Sequence, residues 1–337
     1  MINWGIIGLG NIANIFAEAV LNTNNAKIHA ISSLDKNRLD LFKKKFNLNN
    51  KNCYSDYISL IDDKSIDIIY IALPNSLHFK WVLNCIKSNK NILVEKPATI
   101  KVEEIEQINK ILDNKQIFFA EGFAYRFHPQ ISTLFDIIKG NEIGELLNVE
   151  SYFGNNIIQK KNIFGFDKIK IDEKKRLFNK NLGGGSILDL GCYPASLSVM
   201  LAKLKSNLSD KKVLFKKKKV FTGKTNVDLD AYAEIEFENG FNAKIGSSFK
   251  KNLDKITTII GSKKTIKLVN SWSNNKADII VNNKIYNIPN RFKHILSYEI
   301  ETISNMLENK NYTIKSPYMD RFETEFNIRI LEKWRVN

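Results

Sequence analysis

The sequence predicts an α/β protein, with an N-terminal doubly wound parallel sheet followed by a C-terminal α+β domain built on a large, open, mostly antiparallel sheet. Short β-branched runs alternate with amphipathic stretches through the first 121 residues, the pattern of successive βαβ units. A glycine turn, Gly8-Leu9-Gly10, joins the first run to the first amphipathic stretch. Beyond residue 122, hairpin-spaced apolar runs replace the alternation. The 337 residues fit two domains of about 100–200 residues each, here 1–121 and 122–337.

In order, the first domain reads as strand 2–7, helix 11–21, strand 27–32, helix 36–46, helix 56–61, strand 66–73, helix 77–88, strand 92–95, helix 102–112 and strand 117–121. Strands apolar on both faces belong to a parallel sheet covered by helices. The second domain opens with helix 130–139, strand 147–153, an irregular Lys-rich stretch 159–181 and helix 186–201. Strands follow at 213–221, 231–238, 241–249, 255–260, 265–269 and 277–288, with Asn239-Gly240 and Gly261-Ser262 as turn signals. Helical periodicity returns at 291–308 and 319–335.

Composition narrows the class. With 43% hydrophobic and 26% charged residues, the chain reads as soluble and globular. The first ten residues lack the features of a signal peptide. The longest apolar runs, such as 66–73, fall far short of the ~20 residues of a membrane span, so a cytoplasmic protein is expected. Cys53, Cys85 and Cys192 form neither a disulfide framework nor a metal-like pairing. The net charge is +15, but the lysines are scattered, with dense runs only at Lys43-Lys44-Lys45 and 216–219. That distribution reads as a solvated basic surface and not as a nucleic-acid or membrane interface.

Gly8-Leu9-Gly10-Asn11-Ile12-Ala13 follows a predicted strand and opens a predicted helix. Gly8 permits the tight turn, Gly10 lets the backbone approach a pyrophosphate, and the helix N-terminus offers free N–H groups. Residues 1–121 therefore read as a Rossmann domain binding NAD(P). The second strand ends at Ser32-Ser33-Leu34, with Asp35 late for a ribose contact and Arg38 nearby, which marginally favours NADP(H) over NAD(H).

Two further segments stand at carboxyl ends of predicted strands: Ala72-Leu73-Pro74-Asn75-Ser76-Leu77-His78 and Glu95-Lys96-Pro97. With the glycine turn they closely resemble the glucose–fructose oxidoreductase, inositol dehydrogenase and MocA family. Gly122-Phe123-Ala124-Tyr125-Arg126-Phe127-His128-Pro129 and Gly183-Gly184-Gly185-Ser186-Ile187-Leu188-Asp189-Leu190-Gly191-Cys192-Tyr193-Pro194 look most like its dimeric dihydrodiol and xylose dehydrogenase members. The resemblance covers nearly the whole chain. It implies a homodimer or homotetramer formed through the C-terminal sheet, and a cofactor site drawn from Gly8, Gly10, Asn11, Ile12, Ser33, Arg38, Leu73, Pro74, Asn75, His78, Glu95 and Lys96. In the family the aspartate orients the sugar, while the lysine and the tyrosine or histidine handle the proton. Many members carry histidine where Tyr193 stands, which tilts the substrate towards aldoses or ketosugars. In this architecture the 160–180 stretch, with Phe164 and Phe166, overhangs the pocket.

Hydride transfer between a carbinol and nicotinamide needs a group that exchanges a proton with the substrate oxygen. Lys96 is the first candidate, because a desolvated lysine beside a cationic ring loses its proton more readily. Tyr193 shares or performs that role. Asp189 and Tyr193 stand at i and i+4, so one helix face presents both to the substrate. Arg126 and His128 either line the substrate pocket or, for Arg126, pair with a carboxylate. His78 either packs near the nicotinamide or serves structure. No metal site is indicated.

The leading function is an NAD(P)-dependent dehydrogenase acting on CH–OH groups of a sugar or polyol. A ketoreductase for a nucleotide-linked sugar and a non-catalytic dinucleotide-binding sugar sensor are the alternatives.

Overall fold

The structure is a computed structural model that describes every residue except 162–164, 166, 170, 274, 275 and 337. Its first half runs β1 (Ile2–Ile7), α1 (Asn11–Val20), β2 (Ala26–Ser32), α2 (Lys36–Phe46), β3 (Cys53–Tyr54), α3 (Tyr57–Asp62), β4 (Ile68–Ile71), α4 (Asn75–Lys87), β5 (Asn91–Glu95), α5 (Val102–Leu112), β6 (Phe119–Gly122) and α6 (Pro129–Lys139). The second half runs β7 (Leu146–Gly154), β8 (Gln159–Lys161), β9 (Asp167–Ile169), α7 (Cys192–Lys205), β10 (Val213–Thr222), β11 (Asp228–Phe237), β12 (Asn242–Ser248), β13 (Thr257–Gly261), β14 (Thr265–Leu268), β15 (Ile279–Val281), β16 (Lys284–Tyr286), α8 (Leu296–Glu308) and α9 (Arg321–Arg335).

The chain divides into two compact units. The first comprises Met1–Thr99, Glu103–His128 and Asn290–Arg321; the second comprises Ile100–Val102, Pro129–Pro289 and Phe322–Asn337. In the first, six parallel strands run in the order β3-β2-β1-β4-β5-β6. Strand order reverses between β1 and β4, the switch point of a doubly wound sheet. Trp4, Phe16 and Tyr70 are buried side by side, with Phe16 stacked 3.8 Å from Tyr70 and 5.3 Å from Trp4.

A single break at 121/122 does not contain this first unit, because 290–321 belongs to it. The reason is a face of α8: Leu296, Ile300, Ile303 and Leu307 are buried in one apolar cluster with Trp4, Phe16 and Val20. Trp4 also donates its indole N–H to Ser304 at 3.1 Å.

The second unit carries an eight-stranded sheet, β10-β11-β12-β7-β13-β14-β15-β16, antiparallel except where β12 pairs with β7. The stretch 277–288, expected as one strand, is a hairpin of β15 and β16, because Asn282 takes a left-handed φ of 50° and turns the chain. Within 159–181, expected to be irregular, β8 and β9 form a two-stranded ribbon; Phe164 and Phe166 lie outside the described residues. Across β10, β11, β12 and β7, one face of the sheet carries the pairs Lys216–Glu236, Lys217–Glu234 and Lys244–Glu150 at 2.9, 3.2 and 2.8 Å. The run Lys180–Lys205 is apolar and long enough to cross a membrane, contrary to the expectation that no run reaches that length; 78% of its apolar window is buried inside the protein, as in a core helix.

Candidate functional site

In the first unit the expected cofactor residues gather at the carboxyl ends of β1, β2, β4 and β5. Gly8 adopts φ +85°, and a Cβ there would stand 2.7 Å from both the Ala72 carbonyl oxygen and a Leu73 methyl. Only glycine lets β1 turn this close to the end of β4. A Cβ on Gly10 would meet nothing within 4 Å, so the space over that residue is open. No side chain caps α1, which leaves its first-turn N–H groups, including those of Asn11 and Ile12, facing a place where phosphate oxygens fit. These features suit a dinucleotide.

At the end of β2, Ser33 is buried and its hydroxyl accepts the Asp35 N–H at 3.1 Å. Asp35 caps α2 by accepting the Arg38 N–H at 3.1 Å, and its other oxygen lies 3.3 Å from Arg38 Nε. The Asp35 carboxylate is thus engaged by its own helix, while Arg38 is mostly exposed.

After β4, Leu73 and Pro74 lead into α4, where Asn75 and His78 are buried. The His78 ring spans two loops, with Nδ1 2.8 Å from the Pro97 carbonyl and Nε2 2.8 Å from that of Leu73. At the end of β5, Glu95 is buried: one oxygen accepts the Tyr70 hydroxyl and the other the Lys96 backbone N–H at 3.3 Å. Glu121, buried on β6, accepts the Ala98 N–H at 2.9 Å. The Glu95-Lys96-Pro97 turn is therefore held by a carboxylate, a tyrosine, a histidine and a second carboxylate, with Lys96 half-buried upon it.

Three more polar groups of this unit are fully enclosed. Arg126 is buried and gives its Nε–H to the Pro317 carbonyl at 2.6 Å. His128 is buried, 3.2 Å from Asn290 Oδ1 and edge-on to Tyr298 at 5.0 Å. Glu299 on α8 is buried with no hydrogen-bond partner at either oxygen among the described residues. Burial, reinforced by the charge of Glu95, holds its carboxyl well above the ordinary range.

In the second unit, Asp189 and Tyr193 share one continuous helical segment. Ile187–Gly191 forms a wide π-turn that runs directly into α7, a geometry frequent at functional sites. Both side chains are half-buried. Arg176 places a guanidinium nitrogen 3.0 Å from Asp189 Oδ1. The Tyr193 ring meets Phe153 edge-on at 5.2 Å and Trp272 at 5.7 Å, and Trp272 donates its indole N–H to the Tyr152 carbonyl at 3.0 Å.

The family description "Oxidoreductase family, NAD-binding Rossmann fold" matches residues 2–123, and "GFO/IDH/MocA C-terminal domain" matches residues 131–267. The chain belongs to the Gfo/Idh/MocA oxidoreductase family. As a member it is an NAD(P)-dependent oxidoreductase. It is 26% identical to the trans-1,2-dihydrobenzene-1,2-diol dehydrogenase of Xenopus tropicalis, over 98% of this chain and 96% of that protein. It is 28% identical to D-xylose 1-dehydrogenase (NADP(+)) 2 of Haloferax volcanii, over 73% and 69%. A 3-ketoreductase from Actinomadura kijaniata, solved with NADP and TDP-benzene, shares the fold with TM-score 0.81 and 17% identity, over 99% and 97% of the chains.

Within this Gfo/Idh/MocA oxidoreductase, sequence reasoning did not single out Tyr70, Glu121, Glu299 or Arg176. Tyr70 bonds Glu95, Glu121 holds the Ala98 N–H beyond the same turn, Glu299 faces the charge of Glu95 and Arg176 pairs with Asp189. Glu121 alone carried a visible signal, a carboxylate ending an otherwise apolar strand.

Proposed function

We propose that this oxidoreductase transfers a hydride between NADP(H) and a CH–OH or C=O group of a sugar-like small molecule, and that it does so in the cytoplasm. The observation that carries the reading is the Glu95-Lys96-Pro97 turn: a half-buried lysine whose backbone N–H is held by Glu95, at the same sheet edge as the open space over Gly10. A dinucleotide held around Gly8, Gly10 and Ser33 would supply the hydride acceptor for a carbinol carbon, or the hydride donor for a carbonyl carbon. Lys96 takes or gives the proton at the substrate oxygen, Tyr193 shares that proton, and Asp189 orients the neighbouring hydroxyls. Support for NADP(H) comes from Arg38 and from an Asp35 already engaged by its helix, together with the NADP(+)-dependent xylose dehydrogenase among its relatives.

Arg176 beside Asp189 favours a second reading, in which the sugar carries a diphosphate that a guanidinium binds. A homodimer or homotetramer through the eight-stranded sheet belongs to the proposal, and light scattering tests it. The deciding experiment titrates the protein with NADPH and NADH by fluorescence, then follows reduced-cofactor absorbance over free aldoses, polyols, aromatic diols and nucleotide-linked sugars. Turnover of a free sugar or diol supports the first reading and turnover confined to nucleotide sugars the second. Dinucleotide binding without turnover on any substrate marks a sensor, and a strong NADH preference removes the NADP(H) assignment.

A further inference from the structure

Asp228, the first residue of β11, is buried in the second unit and takes no part in the roles above. Its Oδ2 accepts the Ser186 hydroxyl at 2.9 Å and the Ile187 backbone N–H at 2.6 Å. Those donors are the two residues that open the π-turn carrying Asp189. Ser186 has no capping bond of its own into the turn, so the carboxylate supplies the acceptor that a helix start requires.

The surroundings are built around this contact. Gly185 has φ +114°, and a Cβ there would stand 2.2 Å from Asp228 Oδ1, so glycine is what lets the chain close over the carboxyl. Ser247 reaches the start of the turn, its hydroxyl 3.1 Å from that of Ser186, and leaves little room at its end, where a Cβ on Gly191 would stand 3.2 Å from the same oxygen. Trp334 closes the same end, 2.9 Å from that position. Burying a carboxylate is costly unless donors meet it, and desolvation pushes this one up while the Ile187 and Ser186 bonds, its own backbone N–H and the charge of Arg335 act to lower it.

We propose that Asp228 is a positioning residue for the reaction: it anchors the start of the Ile187–Gly191 turn and thereby sets the directions in which Asp189 and Tyr193 leave the chain. The proposal rests on the reading that those two side chains meet the substrate. Asp228 bonds the Ser186 hydroxyl and the Ile187 N–H, with Gly185 packed over its other oxygen and the charge of Arg335 acting on it, so its loss acts on orientation.

The test compares Asp228→Asn, which keeps an oxygen at the accepting position, with Asp228→Leu, which keeps the size and removes both acceptors. Amide hydrogen exchange over 186–193, kcat, KM and NADPH affinity are measured on the full chain. In Asp228→Leu, exchange in 186–193 rises and kcat falls, each by about tenfold or more for two lost bonds. NADPH affinity stays within about twofold, because the residues proposed to hold it lie in the other unit. Asp228→Asn restores kcat to within about threefold. Unchanged local exchange and kcat in a folded Asp228→Leu overturn the proposal, as does an Asp228→Asn variant that loses NADPH binding together with kcat. If Asp228→Leu does not fold, Ser186→Ala removes one donor alone: faster exchange at 187–191 with a kcat loss of about threefold supports the anchor, and no change in either overturns it. If the wild type turns over no substrate, the functional reading falls while the exchange measurement still decides the anchor.

Discussion

Arg176 holds its guanidinium 3.0 Å from the Asp189 carboxylate, so the Lys-rich stretch delivers one specific cation to the residue proposed to orient the substrate. The pair is partly exposed, with side-chain exposures of 37% and 16%, and pairs of that kind contribute only about 0–1 kcal/mol to stability. Arg176→Gln is therefore expected to shift the melting temperature by no more than about 4 °C, while KM for the substrate rises by at least about threefold. A variant with wild-type KM and kcat would take the pair out of substrate handling.

Lys96→Met tests the proton step. The methionine keeps most of the side-chain length and removes the ammonium, so NADPH affinity stays near wild type while turnover drops by about 100-fold or more, the usual scale of an acid–base group. Fluorescence titration and single-turnover kinetics read the two quantities separately. Near-normal turnover removes Lys96 from the mechanism.

Two glycines of the same turn are expected to fail differently. Gly8→Ala forces a Cβ against the Ala72 carbonyl at φ +85°, which costs about 1–2 kcal/mol in backbone strain alone, and both melting temperature and dinucleotide binding fall. Gly10→Ala meets no protein atom within 4 Å, so melting temperature holds while NADPH binding weakens. Equal loss of stability in the two variants contradicts the placement of the phosphates over Gly10.

Glu299 makes stability depend on pH with a definite sign. Its folded carboxyl sits well above the ordinary 4.5, so above pH 4.5 the unfolded chain loses a proton that the folded chain keeps. The Glu299 contribution to stability therefore declines as pH rises from 4.5 towards the folded value, by up to ~1.4 kcal/mol per pH unit, and levels off beyond it. Glu299→Gln has no such proton, so its stability relative to wild type grows between pH 5 and pH 8 in chemical denaturation. A gap that stays constant across that range would falsify a neutral, buried Glu299.

Much of the site was legible because its motif residues depend on local chain geometry. Gly8 and Gly10 announce a strand-to-helix turn, and Glu95-Lys96-Pro97 follows a strand whose apolar run stops at a carboxylate. The i and i+4 spacing of Asp189 and Tyr193 was also visible, although the wide turn that carries Asp189 was not. At the start of that turn Ile187 and Ser186 find an acceptor in Asp228, some forty residues later, and no local pattern encodes such a partner. The hairpin within 277–288 was missed for a related reason: Asn282-Asn283 is a weak turn signal, and only pairing of β15 with β14 and β16 selects it.

The sequence alone determined five of the six parallel strands, the large second sheet and the strand ends from which Gly8, Ser33, Leu73 and Lys96 emerge, because alternation, glycine turns and helix periodicity act over a few residues; the two-residue strand β3 is defined only by its pairing with β2. Tertiary structure alone decided that α8 packs on β1, that Arg176 faces Asp189, that Tyr193 packs against the stacked pair Phe153 and Trp272, and that Arg126 and His128 are buried. These outcomes depend on which apolar faces and polar groups find each other across long stretches of chain, where burial and hydrogen bonding, and not local propensity, select the partner.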